Sequence, residues 1–190
     1  MTRMRKWLTG LGAALAVAAL TWALPAPHNG ALAFSTSAQA NVRLLMPVTK
    51  KPMGKEFALK DLQGKTWRLS DLRGKVVVIN FWATSCPVCR VEMPSLQSLW
   101  RSLRKVGVQV LTIHKGGTIG EIRAFAEKYA LQLPILHDAD GSVSNAWGAL
   151  RLPLTMVLDQ QGRVAFMAFG GRNWRNPQIA RIIMTLLPPL

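Results

Sequence analysis

The sequence predicts an α/β domain built on a mixed central β-sheet flanked by helices. Three observations carry that prediction. Strand-like and helix-like periods alternate from residue 56 onward. Residues 75–82 form an almost unbroken β-branched and aromatic run, and the last two strand patterns are joined by a short polar turn. An antiparallel pair at that place argues against a purely parallel, doubly wound sheet.

The elements follow in order. Residues 56–60 and 65–69 flank Asp61-Leu62-Gln63-Gly64, a turn composition that predicts an N-terminal β-hairpin. KVVVINFW, at 75–82, has the continuous hydrophobicity of a strand covered on both faces. From Pro87 to about Lys105, Val91, Leu96, Leu99, Trp100 and Leu103 recur at helical spacing, and Gly107 closes that helix. Residues 108–114 alternate like a strand. Thr118 is placed to cap a helix over 120–130, with Ile122, Phe125 and Ala126 on one face. Residues 142–147 suit a short helix. Residues 154–158 and 164–169 flank Asp159-Gln160-Gln161-Gly162 as a second hairpin. Asn173 is placed to cap a terminal helix running to Leu187.

The chain has 190 residues, 49% hydrophobic and 17% charged, which excludes a disordered or fibrous protein. Lys and Arg number 24 against 9 Asp and Glu, a formal net charge of +15. The basic residues are scattered, with no run longer than Lys50-Lys51 or Arg104-Lys105. An anionic membrane surface or an acidic partner fits that charge, and no nucleic-acid partner is expected.

Arg3, Arg5 and Lys6 precede residues 7–24, which carry no charge and are mostly Ala and Leu. A basic start followed by an apolar run is the pattern of a secretory signal or a signal-anchor. As a helix the run reaches roughly 27 Å, enough for a bilayer core. The cleavage patterns Ala31-Leu32-Ala33 and Ala38-Gln39-Ala40 lie well beyond it. That spacing favours an anchor over release as a soluble periplasmic protein. Positive charge ahead of the span predicts a cytoplasmic N-terminus and a remainder on the periplasmic side of a bacterial inner membrane. Pro25, Pro27, Pro47 and Pro52 mark residues 25–52 as a linker, so the folded domain is expected over 53–190.

The chemistry centres on Cys86-Pro87-Val88-Cys89, the only two cysteines of the chain. They fall where a buried strand gives way to a helix. Free N–H groups and the helix dipole at that place stabilise a thiolate on Cys86, the attacking group. Cys89, three residues on, is placed to displace the resulting mixed disulfide. Pro87 fits the first helical turn, where no N–H is needed. Haem attachment fails because Arg90, not His, follows the second cysteine. A zinc site lacks further ligands at suitable spacing, and a structural disulfide closing so short a loop adds little stability. No metal or cofactor is expected.

VVINFWATSCPVCRVEMPSL, at 77–96, resembles the active-site segment of TlpA-like thioredoxin-fold disulfide oxidoreductases, and the resemblance extends through LHDADGSVSNAW at 136–147 and LPLTMVLD at 152–159. Within that family the CPVCR form and the HDADG segment are most similar to the suppressor-of-copper-sensitivity D branch. The resemblance implies a thioredoxin-like fold with a β-α insertion within 108–136. It also implies an exported enzyme, protein thiol and disulfide substrates, and a membrane redox partner. Pro153 stands where thioredoxin-fold proteins carry a cis-proline opposite the cysteines. The Leu152 backbone there would pair with an extended substrate segment. Pro87 and Val88 are read as the substrate-facing lining, and Trp82 is read as a packing residue, like Trp147, that also lines the active site.

Ser85 stands where many relatives have Trp, and Asn80 stands where cytosolic thioredoxins have a buried Asp. An amide cannot take the Cys89 proton, and Glu92, one helical turn beyond Cys89, matches an acidic position found in several relatives. The alternative for Glu92 is a solvated surface residue paired with Arg90 or Lys105. Pro94 is structural, and His114 and His137 are read as surface residues. Two other functions remain open at this point. One is a non-catalytic metal-binding protein using both cysteines; the other is a thiol peroxidase, against which the paired cysteines argue.

Overall fold

The computed structural model describes residues 44–189. The 7–24 span and the linker up to residue 43 lie outside the described residues. Among the described residues no helix is long and apolar enough to cross a membrane.

Among the described residues, eight strands and four α-helices follow the expected alternation, with two strands, Met46–Pro47 and Ile135–Asp138, added. They are β1 (Met46–Pro47), β2 (Ala58–Lys60), β3 (Thr66–Arg68), β4 (Val76–Trp82), α1 (Pro87–Leu103), β5 (Val108–Lys115) and α2 (Ile119–Lys128). Then come β6 (Ile135–Asp138), α3 (Ser142–Ala146), β7 (Leu154–Leu158), β8 (Val164–Phe169) and α4 (Pro177–Met184). The main sheet has the order β1-β8-β7-β4-β5-β6, and β2 and β3 form a separate antiparallel hairpin. β4 pairs in parallel with β5 and antiparallel with β7, so the sheet is mixed. This is a thioredoxin-like α/β fold, in which the extra α/β unit is α2 followed by β6 on the sheet edge.

Every residue of β4 is buried, as its sequence predicts. Alternate side chains serve opposite layers. Val76, Val78 and Trp82 join the core under α1, α2 and α4, whereas Val77, Ile79 and Phe81 join the core under the hairpin and Trp147. Cys89, Met93, Leu96, Leu99 and Leu103 give α1 the matching stripe. Each fully buried aliphatic side chain contributes about 1.5–3 kcal/mol relative to exposure. Asn80 lies on the α1 side of β4 by the same alternation, and that parity brings it to Glu92.

Three sequence expectations are corrected. The ordered fold begins before Met53: β1 pairs with β8, Leu45 is buried, and the Val48 N–H donates to Ala165 O at 2.9 Å. The apolar Leu44-Leu45-Met46 run has a sheet edge to cover, so this part of the 25–52 segment is not linker. Residues 135–138 are a strand that its own short, polar-interrupted sequence does not announce. The α4 cap is Asn176 rather than Asn173, with Asn176 Oδ1 accepting the Gln178 N–H at 2.9 Å and Pro177 in the first turn. Asn173 makes the equivalent turn one step earlier, to the Arg175 N–H at 3.1 Å, and the helix ends at Met184 rather than Leu187.

Candidate active site

Cys86 caps α1 and Cys89 lies in its first turn. The two are joined in a disulfide with a Cα–Cα distance of 5.3 Å. Cys86 has extended backbone geometry (φ −93°, ψ 107°), and its Sγ accepts the Cys89 N–H at 3.2 Å. That N–H is one of the unpaired donors of a helix start, so the sulfur occupies the place where negative charge is best tolerated. The two cysteines differ in access: Cys86 is half-buried, and Cys89 is fully buried under α1. Pro87 and Val88 are exposed beside them, and Val91 is 81% exposed one turn on.

Glu92 is buried at 3% exposure, which excludes the solvated alternative. Neither Arg90 nor Lys105 is its partner. Its Oε1 accepts from Asn80 Nδ2 at 2.9 Å, and its Oε2 accepts from the Trp174 indole N–H at 3.0 Å and the Arg172 N–H at 3.2 Å. Burial raises the carboxyl above its usual range, against the opposing pull of these three donors and the Arg172 charge. Asn80 Nδ2 also donates to Thr155 Oγ1 at 2.9 Å, while Asn80 Oδ1 has no partner. A flip of this amide would turn Oδ1 toward Glu92 and Thr155. The pocket therefore has an acceptor ready for a protonated Glu92 and a donor ready for the anion.

The Leu152–Pro153 bond is cis. β7 pairs with β4 through Leu154 and Phe81, which places Pro153 at the end of the sheet from which the β4–α1 turn leaves. Leu152 is half-buried and packs against the same core cluster as Cys86, and Pro153 is buried. Phe169 and Leu150, both more than half exposed, extend apolar surface along this end of the sheet. A groove of about 410 Å³ runs beside the helix start, lined by Val88, Val91, Pro94, Gly171, Arg172 and Arg175. Gly171 lies so close to Val88 that a Cβ there would collide with the Val88 side chain.

Trp82 is corrected. It is fully buried and packs edge-on against His114 and beside Phe125, with ring centroids at 4.8 and 5.0 Å. It supports the active-site turn from beneath and offers no surface to a substrate. His114 is also not a surface residue: it is 1% exposed, its Nε2 accepts the Thr84 N–H at 2.9 Å, and its Nδ1 lies 2.9 Å from Gly116 O. Its place at the C-terminal end of a strand parallel to β4 was the available signal, because sites in open α/β sheets gather there. Trp174, Arg172 and Thr155 had no such local signal. His137 lies in the neighbouring strand, with Nε2 at 3.0 Å from Gly117 O. Among the described residues no group of three or more His, Cys, Asp or Glu side chains is placed to hold a metal ion.

Residues 52–167 match the AhpC/TSA family. The chain is 40% identical over 109 residues to the thiol-disulfide oxidoreductase ResA of Geobacillus thermodenitrificans, a match covering 57% of this chain and 63% of that protein. It is 31% identical over 163 residues to the thioredoxin-like protein YneN of Bacillus subtilis, covering 84% of this chain and 86% of that one. Among solved structures, the dsbF protein of Mycobacterium tuberculosis superposes with a TM-score of 0.62 at 27% identity, over 68% of this chain and 94% of that one.

Proposed function

This chain belongs to the AhpC/TSA family, among the ResA-like thiol-disulfide oxidoreductases, and from that premise we propose that it exchanges disulfides with protein substrates through Cys86 and Cys89. The observation that carries the reading is the unequal pair at the α1 start, one sulfur half-exposed and one fully buried.

In the reducing direction, the Cys86 thiolate attacks one sulfur of a substrate disulfide. The substrate S–S bond breaks, and its second sulfur leaves as a thiolate that takes up a proton. Cys89 loses its proton to a base and attacks Cys86 Sγ. The mixed disulfide breaks, the first substrate sulfur leaves as a thiol, and Cys86–Cys89 closes. Two electrons pass from protein to substrate, and the oxidising direction is the same sequence reversed. Glu92 is the proposed proton acceptor for Cys89 on grounds of helical proximity and burial. Leu152 and Pro153 are the proposed docking edge for an extended substrate, with Pro87, Val88 and the exposed Phe169 supplying apolar contact. Exchange with a protein disulfide and equilibration against glutathione test the reading together. The expected result is turnover by the wild type, none by Cys86→Ser, and a potential within the roughly −270 to −120 mV span of such centres. A wild-type protein inert toward protein disulfides overturns it.

Export, anchoring and a membrane redox partner belong to the same proposal, supported by the basic start and the uncharged 7–24 run. Membrane fractionation should recover the redox domain with the periplasmic face of the inner membrane. A soluble product beginning near residue 34 or 41 would replace anchoring with cleavage. The CPVCR and HDADG segments support placement in the suppressor-of-copper-sensitivity D branch.

A further inference from the structure

The β4–α1 turn, which presents Cys86, is tied down from behind by one side chain. His114, next to last in β5, lies directly beside Trp82, its partner in the parallel register. The imidazole makes two hydrogen bonds of opposite sense. Nδ1–H donates to Gly116 O at 2.9 Å, and this fixes the tautomer in which Nε2 is bare. Nε2 then accepts the Thr84 N–H at 2.9 Å, with Thr84 Oγ1 at 3.3 Å. Thr84 stands two residues before Cys86, and the turn closes with the Cys86 N–H donating to Ala83 O at 3.1 Å. Without the imidazole the Thr84 N–H would lose its acceptor.

We propose that His114 is a positioning residue of the exchange centre: as a neutral imidazole accepting the Thr84 N–H, it holds the 83–86 turn so that Cys86 Sγ meets the open N–H groups of α1. The proposal rests on the exchange reading above and adds to it a residue that touches neither sulfur. A doubly protonated ring carries an N–H on Nε2, so it would point a donor at the Thr84 donor. Protonation of His114 therefore frees the turn.

The surroundings hold the ring in its neutral form. Burial lowers its tendency to protonate, and His137 of β6, drawn to the carbonyls of Gly116 and Gly117, disfavours a second charge. The hydrogen bond to Gly116 O and then the Glu121 carboxylate of α2 pull the other way without overcoming burial, and that carboxylate is engaged by the Thr118 N–H and hydroxyl at 2.9 and 3.0 Å. Trp82 of β4 packs edge-on against the ring, and the 116–117 turn lies beside it. Lys115, next in sequence, turns away to Asn145 Oδ1 at 2.7 Å.

The test compares the wild type with His114→Ala and His114→Gln, since glutamine can accept the Thr84 N–H without titrating. Exchange rates and the thiolate fraction of Cys86, read from its ultraviolet absorbance, are both followed across pH. Expected at neutral pH is a loss of about tenfold in His114→Ala, the size of one lost buried hydrogen bond, and recovery to within about twofold in His114→Gln. Expected below about pH 6.5 is a further fall in the wild type that His114→Gln lacks. Oxidised protein gives a readout free of turnover: the His114 nitrogen shifts should report a bare Nε2, and the Thr84 amide proton should be protected in the wild type and exposed in His114→Ala. An inflection retained in His114→Gln, or a His114→Ala variant with wild-type rates and Thr84 protection, overturns the proposal. Absence of exchange in the wild type with the nitrogen shifts as expected would instead sink the exchange reading and the positioning role built on it.

Discussion

Cys89→Ala should turn a catalyst into a trap. The variant keeps the half-exposed Cys86 and its place at the helix start, so attack on a substrate disulfide proceeds. What it loses is the buried sulfur that displaces the adduct. Mixed disulfides through Cys86 should then accumulate to stoichiometric amounts, where the wild type shows only transient ones, and multiple turnover should fall to background. Mass spectrometry of the quenched reaction reads this directly. The fold should tolerate the change. Removing one buried sulfur costs about 1 kcal/mol in packing, and losing a disulfide that closes so short a loop costs little. Adducts forming through Cys89 in Cys86→Ser at comparable rates would reverse the assignment. Alkylation of the reduced wild type gives an independent reading, with Cys86 modified well before Cys89.

How much of this was legible in the sequence depends on the range over which each feature is encoded. The pair Cys86 and Cys89 is local, because four consecutive residues at one helix start carry it and the strand before it supplies the context. β4 was legible because burial on both faces writes itself as an unbroken apolar run. β6 was not. Four residues, Ile135–Asp138, become a strand only because β5 offers an open parallel edge, with Thr112 opposite Ile135 and His114 opposite His137. β1 is shorter still and is defined by β8. In the site, Glu92 could be singled out from its helical offset to Cys89, yet its environment could not. Trp174 lies 82 positions along the chain and Thr155 lies 75 from Asn80, and no periodicity connects them. Trp82 was legible as a packing residue, but the lining role also given to it rested on adjacency to the cysteines in sequence, whereas strand parity turns the ring into the core.

Glu92→Gln should separate proton handling from packing. The substitution is nearly isosteric, and the pocket can accept it. The amide oxygen can receive the Trp174 and Arg172 N–H groups, and the new NH2 can face Asn80 once that amide flips its unpaired Oδ1 forward. The carboxyl is pushed up by burial, so between its unfolded value of 4.5 and its folded value the native state binds more protons than the unfolded state. Stability from this group is fully present below the unfolded value and drains away as pH rises through the folded one. Glutamine cannot ionise. The variant should therefore gain stability relative to the wild type as pH rises through that window, seen as a denaturant midpoint that no longer declines. The chemistry should move the other way. If Glu92 takes the Cys89 proton, release of the mixed disulfide should slow by about a hundredfold and lose a limb of its pH profile, while attack by Cys86 changes little. Glu92→Ala serves as the contrast, because it strands the Trp174 indole N–H without an acceptor, at about 1–3 kcal/mol, and leaves Asn80 Nδ2 with Thr155 Oγ1 alone, with no pH signature of its own. Equal pH profiles for resolution in Glu92→Gln and the wild type would leave Glu92 as the packing partner of Trp174 and assign the Cys89 proton to water entering from the groove beside Val88.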